Sequence, residues 1–351
     1  MRKNCEEEGS LLPLDMHNPF SKIVREELDK FLNKVFFFSK RGNNFCEEVV
    51  LAAASHSYVE TVEGKADSLH LKIKQCEWED FLEVYKNMIG LYVRSLNVRA
   101  AILAFDITSD PFYGKTSNFY TIGCENNEGY SQQFEYLVMS LANEKCEEKI
   151  PLACIPVHAG FDTAKAIREL LAFAGTLFRV RFVLLDRGFY SVETIRMLEE
   201  SGYKYLMLMP KRSEEIKYLA DTVFDAGYTM YTMTSGLGEH FTIRVVFIRD
   251  DSDKFTWTFA TNMIFDDYNM YLYFYKKRWR IETGFRVEDE AKIKSKSIYP
   301  IVRYFYFLTS LLLHTLWLVF QREIPFKRFL IRTSKFLMLE SLGITTINMD
   351  S

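Results

Sequence analysis

The sequence lacks several features that would narrow its function at once. Its six cysteines form no CxxC pair, and no histidine lies at zinc-finger spacing from them. Free thiols in a reducing cytoplasm are therefore expected instead of a disulfide framework or a zinc site. The first ten residues, MRKNCEEEGS, lack the apolar stretch of a secretory signal. A Walker P-loop, a GxSxG elbow and an HExxH motif are absent from the chain.

Neither sign of charge dominates. The chain has 44 Lys and Arg against 47 Asp and Glu, a formal net charge of −3. This balance argues against a protein that coats nucleic acid through overall charge, but a local basic stripe is enough to bind DNA. Apolar residues make up 48% of the 351 positions, which is ample for a buried core and excludes a disordered chain.

The longest apolar run is residues 304–320, YFYFLTSLLLHTLWLVF. It falls short of the ~20 residues that a membrane-spanning helix usually needs. Thr309, Ser310 and His314 also interrupt it. The run therefore predicts a core helix of a protein outside the membrane, with a membrane segment as the alternative.

The N-terminal part, residues 1–98, is predicted to be a helical domain. Apolar residues recur at helical spacing in 22–38 and in 77–95. Such a module could bind DNA, or it could serve only for packing or dimerisation. Its composition leaves both interpretations open.

From residue 99 the pattern changes to short apolar runs alternating with amphipathic ones, predicting an α/β (α+β) core whose first part is 99–212. Asp162 and Ser191 are predicted helix caps. Strands are predicted at 100–107, 133–141, 150–158, 178–186 and 203–210, with helices at 162–176 and 191–202. Three strands followed by helix, strand, helix, strand indicate an antiparallel meander continued by parallel crossovers, as in an RNase H-like core.

The residues after 212 are predicted to interrupt this core with an insertion and then to complete it. Residues 213–262 contain three strand-like pieces separated by turn signals and are predicted to be a β-rich insertion. Residues 263–336 are predicted to be the C-terminal helical part of the core, with a helix at 266–290 and another at 304–320. Residues 337–351 are predicted to be a tail.

Two aspartates are candidates for catalysis. Asp106 is predicted to end the first core strand and Asp186 the fourth, and these strands are neighbours in an RNase H-like sheet. Two carboxylates held close together repel each other unless a cation lies between them. Their oxygen atoms suit Mg²⁺ or Mn²⁺. Taken singly, an aspartate at a strand end is more commonly a turn residue or a helix cap.

The segment 275–286, YKKRWRIETGFR, places one carboxylate, Glu282, among basic residues. On a helix, Tyr275, Arg278, Glu282 and Arg286 share one face. Glu282 is the candidate third metal ligand, although Arg278 and Glu282 could form only a surface salt bridge. Tyr275 and Trp279 could stack on a base. The candidate DNA-binding residues are Tyr275, Lys276, Lys277, Arg278, Trp279, Arg280, Arg286, Lys292 and Lys294.

These segments together resemble the DDE transposases of prokaryotic insertion sequences. More narrowly, they are similar to the IS-four-like branch, which has a β-rich insertion before the last acid and a Tyr-Arg-Glu-Lys signature. The resemblance covers about residues 99–320. It is carried by AFDITSDPFYG, VLLDRGFYS, YLMLMPKR, FATN, YKKRWRIETGFR and VRYFYFLTSLLLHTLW.

The resemblance implies a function. An RNase H-like core would bind two Mg²⁺ or Mn²⁺ ions through Asp106, Asp186 and Glu282, and Tyr275 and Arg278 would handle the DNA backbone near the cut. Water would cleave the DNA at each end of the element, and the freed 3′-OH would then attack target DNA. The expected partners are double-stranded DNA, both terminal inverted repeats and target, and a second copy of the chain in an active homodimer associated with the nucleoid.

One position departs from the signature. The signature places a lysine seven residues after its glutamate, where this chain has Asp289. Lys292, Lys294 and Lys296 lie nearby and could substitute for it. The alternative is a catalytically decayed transposase that acts only as a DNA-binding protein. A dehalogenase-type phosphatase is disfavoured, because its motif needs a second aspartate where Thr108 stands.

Overall fold

A nine-stranded mixed sheet forms the centre of the protein. The strands are β1 (Ala100–Phe112), β2 (Thr121–Asn127), β3 (Tyr130–Leu141), β4 (Ile150–Pro156), β5 (Arg179–Leu185), β6 (Tyr205–Leu208), β7 (Ala226–Thr234), β8 (His240–Asp250) and β9 (Phe255–Thr261). This computed structural model describes residues 19–39, 44–61, 65–115, 117–127, 129–143, 150–236, 238–250, 255–278, 292–320 and 323–343.

Helices flank the sheet on both sides. They are α1 (Pro19–Val35), α2 (Cys46–Ser55), α3 (Ala66–Ile73), α4 (Trp78–Ser95), α5 (Thr163–Gly175), α6 (Val192–Glu200), α7 (Glu214–Thr222), α9 (Pro300–Phe320) and α10 (Phe326–Ser341), with α8 comprising the helical residues 269–278. The predicted caps are confirmed, because Asp162 accepts a hydrogen bond from the Lys165 backbone N–H and Ser191 accepts one from that of Thr194.

The strand order confirms the predicted RNase H-like core. The sheet runs β2-β3-β1-β5-β6-β9-β8-β7, and β4 pairs with β3 as well. The antiparallel meander comprises β1, β3 and β4. β5 lies parallel to β1, and β6 lies parallel to β5. Helix α5 connects β4 to β5, and helix α6 supplies the crossover from β5 to β6.

Alternate residues of the central strands face two apolar layers. Leu103 and Phe105 of β1 belong to the larger core cluster, whereas Ile102 and Ala104 belong to a second cluster that includes Tyr271 and other residues of α8. Because successive strand side chains point to opposite faces, both sides of the sheet are covered. The fold therefore has three layers, with α8 on the face that carries Ile102 and Ala104.

The predicted β-rich insertion continues the same sheet. Strand β9 pairs antiparallel with β6, from Leu206 opposite Thr261 to Leu208 opposite Phe259. Strands β8 and β7 then extend the sheet outward. The N-terminal helices likewise share the larger cluster, in which Phe31 stacks on Phe305 of α9 and Phe81 meets the same ring edge-on. The boundaries proposed at 98, 212, 262 and 336 stay predictions.

One local expectation is corrected, and two elements, β2 and α7, were not predicted. Strand β1 does not end at Asp106 but continues to Phe112, because β3 pairs with it as far as Gln132. Strand β2 (TIGCENN) is too polar to show an apolar alternation. It is a strand because it pairs with β3. Helix α7 lies within the segment predicted to be only β-rich, and its cap, Ser213, accepts a hydrogen bond from the Ile216 N–H, a signal that could have identified it.

Helix α9 is the apolar run identified in the sequence. It is long and apolar enough to cross a membrane, yet 83% of its most apolar window is buried inside the protein. This burial agrees with the prediction of a core helix. Within α9, His314 contacts the rings of Trp317 and Phe326 at centroid distances of 5.5 and 5.4 Å. Burial lowers the pKa of His314 from 6.5 to about 3.

This burial of His314 predicts a pH-dependent stability. The imidazole binds a proton more tightly in the unfolded chain, so its stabilisation is complete above pH 6.5 and is lost as the pH falls toward 3. Between about pH 7.5 and about pH 5.5, the free energy of unfolding should fall by about 1.4 kcal/mol more in the wild type than in His314→Gln. Urea unfolding at the two pH values measures this, with His158→Gln as the control. Equal losses in wild type and His314→Gln would contradict it.

Candidate active site

The register between β1 and β5 brings the two candidate aspartates together. Ala104 pairs with Leu184, so two residues further along each strand Asp106 comes opposite Asp186. Adjacent strands lie about 4.8 Å apart. An irregularity between Ala101 and Ile102 shifts the pairing by one residue. Without that bulge Asp106 would face Leu185, because a one-residue slip moves a strand's side chains to the other face.

Two side chains of α8 contact the aspartates, and one of them contacts both. Arg278 Nη1 lies 3.5 Å from Asp106 Oδ2, and its Nη2 lies 3.7 Å from Asp186 Oδ1. The Tyr275 hydroxyl donates to Asp186 Oδ1 at 3.1 Å and accepts from Arg278 Nε at 3.2 Å. The four groups form one connected network, in which a single cation lies between two carboxylates from neighbouring strands.

The network is buried on its α8 side and open on its carboxylate side. The side chain of Arg278 is only 3% exposed, against 17% for Asp106 and 31% for Asp186. Burial lowers the pKa of Arg278, but Tyr275 and the negative charges of Asp186 and Asp106 offset this, so that its pKa lies above the ordinary value. Burial raises the pKa of Tyr275, and the Arg278 charge opposes that rise. The tyrosine is therefore a neutral donor and the arginine a permanent cation.

The geometry gives Tyr275 and Arg278 different surroundings from those expected of DNA-binding residues. Tyr275 is fully buried, and its ring packs 5.0 Å from Phe259 and 5.9 Å from Trp257. It cannot stack on a base in this conformation. Arg278 is turned toward the carboxylates and not toward solvent. Both residues instead contact the candidate metal ligands.

The two lysines between them differ in exposure. Lys276 is 46% exposed and forms an ion pair of 3.2 Å with Asp250. Lys277 is buried, and its Nζ donates to the Tyr273 hydroxyl at 2.9 Å. Within the described part of α8, Lys276 is thus the predicted cation that solvent and DNA can reach.

Lys292 and Lys294 lie near the C-terminal end of β1, beside Asp110. Lys292 Nζ lies 3.0 Å from Asp110, and Arg303 of α9 lies 2.8 Å from the same carboxylate. Lys294 lies alongside Tyr58, with which it forms an isolated parallel bridge. Sequence reasoning did not select Asp110, Tyr58 or Arg303, and only the four-residue spacing of Asp110 from Asp106 could have pointed to one of them.

Several predicted site residues lie outside the described residues. These are Trp279, Arg280, Glu282 and Arg286, together with the departure from the signature at Asp289. Among the residues that the structure describes, no group of three or more His, Cys, Asp or Glu could hold a metal ion. The role of Glu282 therefore stays a prediction.

The described carboxylates fit a divalent cation. Asp106 and Asp186 both contact the positive charge of Arg278. Their two negative charges therefore lie close together on the side of the aspartates that faces away from Arg278. Carboxylate oxygens are the ligands that Mg²⁺ and Mn²⁺ prefer. A third donor, such as Glu282, would bring the set to the three carboxylates expected from the sequence.

The Tyr275 hydroxyl can be tested through a matched pair of variants. Tyr275→Phe removes the bridge between Arg278 and Asp186, and we expect DNA cleavage to fall about tenfold while DNA affinity is unchanged. Tyr271→Phe is the control, because Tyr271 lies one turn earlier, is also fully buried and donates its hydroxyl to the Met263 carbonyl at 3.0 Å. Each variant should lose about 1 kcal/mol of stability. Equal cleavage by the two variants would contradict a positioning role.

Comparisons with known proteins bear on the site and on the fold. Residues 157–299 match the family described as "Transposase DDE domain", a segment that includes Asp186, Tyr275 and Arg278. A search of curated proteins found no significant match. Among solved structures, the chain is similar to a piggyBac transposase in a synaptic complex with hairpin DNA, determined by cryo-EM.

The structural likeness extends over most of both molecules. The TM-score is 0.52 at 12% sequence identity, and the alignment covers 95% of this chain and 81% of the piggyBac chain. At this identity the likeness bears on the fold. The family match over 157–299 and the shared fold together support a DDE transposase, and the narrower IS-four-like branch rests on the sequence resemblance alone.

Proposed function

We propose that the protein is a metal-dependent DNA transposase that cuts DNA at the ends of an insertion sequence and joins the 3′-OH to target DNA. The observation that carries this proposal is the convergence of Asp106 and Asp186 on Arg278. The family match and the fold support it. A cytoplasmic, nucleoid-associated homodimer is the form that we propose for the active protein.

Asp106, Asp186 and Glu282 would hold the cations, of which we propose two. Bound Mg²⁺ or Mn²⁺ supplies Lewis acidity at the scissile phosphate and neutralises its developing charge. The chain's own residues prepare the site. Arg278 balances the two carboxylates, Tyr275 orients Asp186, and the partly exposed oxygens of Asp106 and Asp186 face the solvent side from which a DNA strand can approach.

The proposal is tested with DNA that flanks the gene itself. A plasmid carrying both flanks is incubated with the protein and Mg²⁺ or Mn²⁺, and the positions of strand breaks are mapped. Breaks confined to the two flanks, dependent on the cation and absent with Asp106→Asn, are the expected result. Binding to the flanks without breaks would favour the decayed DNA-binding alternative, with Asp289 as the first position to restore to lysine. Neither binding nor breaks would overturn the DNA function.

A further inference from the structure

A cleft of about 610 Å³ opens beside the far end of β1. Three segments distant in sequence form it: the chain just after α2, the turn that follows β1, and residues 292–298, which lead into α9. The side chains used below are Tyr58, Asp110, Tyr113, Lys294, Lys296 and Arg303. Its volume lies in the range of about 300 to 1,000 Å³ that holds small organic ligands.

The cleft is strongly positive. Among the described residues, Lys292, Lys294, Lys296 and Arg303 line it together with one carboxylate. These side chains sum to a formal charge of +3 in a chain whose total is −3. That carboxylate, Asp110, already has two cationic partners. Among the described residues, no carboxylate lies within ion-pair distance of Lys294 or Lys296. A cluster of cations in a concave site attracts an anionic ligand.

Two tyrosines give the same cleft an aromatic surface. Tyr58 is 37% exposed and Tyr113 is 60% exposed. Lys296 Nζ lies 5.2 Å from the centre of the Tyr58 ring. Gly114 fits the turn closely, since a Cβ there would lie 2.1 Å from Phe112 Cζ. The turn therefore rests on the buried Phe112 ring while Tyr113 points outward.

The walls of the cleft are held together before any ligand arrives. The Val59 N–H donates to the Lys294 carbonyl at 3.0 Å. Glu60 accepts hydrogen bonds from the Ser295 hydroxyl at 2.7 Å and from the Lys296 N–H at 2.9 Å. This support fixes Tyr58 beside the lysines, and a preorganised site binds with a smaller ordering cost.

The cleft is a short distance from the candidate catalytic aspartates. Asp110 follows Asp106 by four residues on β1, which at about 3.3 Å per residue is roughly 13 Å. DNA rises about 3.4 Å per nucleotide along one strand. A strand whose scissile phosphate lies at Asp106 therefore reaches the cleft within about four nucleotides.

We propose that this cleft binds an unpaired nucleotide of the DNA strand being cut, with its base stacked on Tyr58 or Tyr113 and its phosphate on Lys294 and Lys296. The inference rests on the proposed function and extends it to the form of the substrate. Duplex phosphates alone would engage the lysines, but they would leave the two exposed rings unused. A base with a free π-face accounts for both sets of side chains.

DNA binding without divalent cations tests this, because no cutting then occurs. Fluorescence anisotropy compares the gene's flanking duplex in a blunt form with the same duplex carrying a four-nucleotide single-stranded tail, 3′ or 5′. The wild type should bind one tailed form about fivefold or more tightly than the blunt form. The double variant Tyr58→Leu/Tyr113→Leu should lose that preference and keep the blunt-duplex affinity, whereas Tyr58→Phe/Tyr113→Phe should retain both.

A charge variant separates the phosphate contact from the stacking contact. Lys296→Gln should lower the salt dependence of binding to tailed DNA by about one phosphate contact. Lys217→Gln, an exposed lysine of α7 paired with Glu214, should leave it unchanged.

Equal affinity for blunt and tailed DNA, or a preference that survives the double leucine variant, would overturn the inference and leave the transposase proposal standing. No binding to any flanking DNA would overturn both.

Discussion

Asp106→Asn and Asp186→Asn are each expected to reduce metal-dependent DNA cleavage by about a thousandfold or more. Asparagine has nearly the same shape, so Asp186→Asn can still accept the Tyr275 hydrogen bond seen at 3.1 Å. What it removes is the negative charge that a divalent cation needs. Single-turnover cleavage of flanking DNA with Mg²⁺ or Mn²⁺ measures the effect.

The two aspartate variants should lose the chemical step of cleavage and keep DNA binding. DNA affinity without divalent cations should stay within about threefold of the wild type, because neither aspartate attracts a phosphate. Asp221→Asn, at an exposed position of α7, should cleave as the wild type does. If either active-site variant keeps more than about a tenth of the cleavage rate, its aspartate is not a metal ligand. A second readout is the rise in melting temperature caused by Mn²⁺, which both variants should lose.

Arg278→Gln is expected to lower the free energy of unfolding by about 3 kcal/mol, because it leaves two carboxylates facing each other without their counterion. The arginine side chain is 3% exposed and lies 3.5 and 3.7 Å from the two aspartates. The pKa of Arg278 is raised in the folded protein. The stabilisation of the folded state by its charge is therefore present throughout the neutral range and is lost only as the pH rises above the ordinary arginine pKa. Urea unfolding at neutral pH measures the loss.

Adding a divalent cation should show whether Arg278→Gln loses stability through the missing charge or through lost packing. In Arg278→Gln, Mn²⁺ or Mg²⁺ can neutralise the unbalanced carboxylates, so the cation-induced rise in melting temperature should be larger than in the wild type. Lys276→Gln is the control on the same helix. Its ion pair with Asp250 is 46% exposed on the lysine side, and such a pair contributes about 0 to 1 kcal/mol. An Arg278→Gln variant as stable as Lys276→Gln would show that the carboxylates do not depend on the arginine.

Much of the core could be predicted from short segments because each segment carried its own signal. Apolar runs with period two and the caps at Asp162 and Ser191 marked the elements, and their order indicated the meander and the parallel crossovers. Weak local signals explain the omissions. The polar β2 becomes a strand only through its partner β3. The cap at Ser213 is a single short signal within a segment dominated by strand-like residues.

The candidate site was predictable in its aspartates and less so in its surroundings. Asp106 and Asp186 stand out because each follows an apolar strand segment. The contacts of Tyr275 and Arg278 with the aspartates were not predictable, because a basic helix face is compatible either with DNA phosphates or with buried carboxylates. Which one it meets depends on how α8 packs on the sheet, and the packing of Tyr275 on Phe259 decides this.

The sequence by itself determined the order of the core elements β1, β3, β4, α5, β5, α6 and β6, the apolar core helix α9 and the two aspartates, since these follow from local periodicity and residue chemistry. Only the tertiary structure decided that Asp106 lies opposite Asp186, because a one-residue bulge sets the register between β1 and β5. It likewise decided that Arg278 is the counterion of both aspartates, and that Tyr58, Tyr113 and Lys296 share one cleft. Such long-range contacts come from pairing and packing between distant segments, which no local pattern specifies.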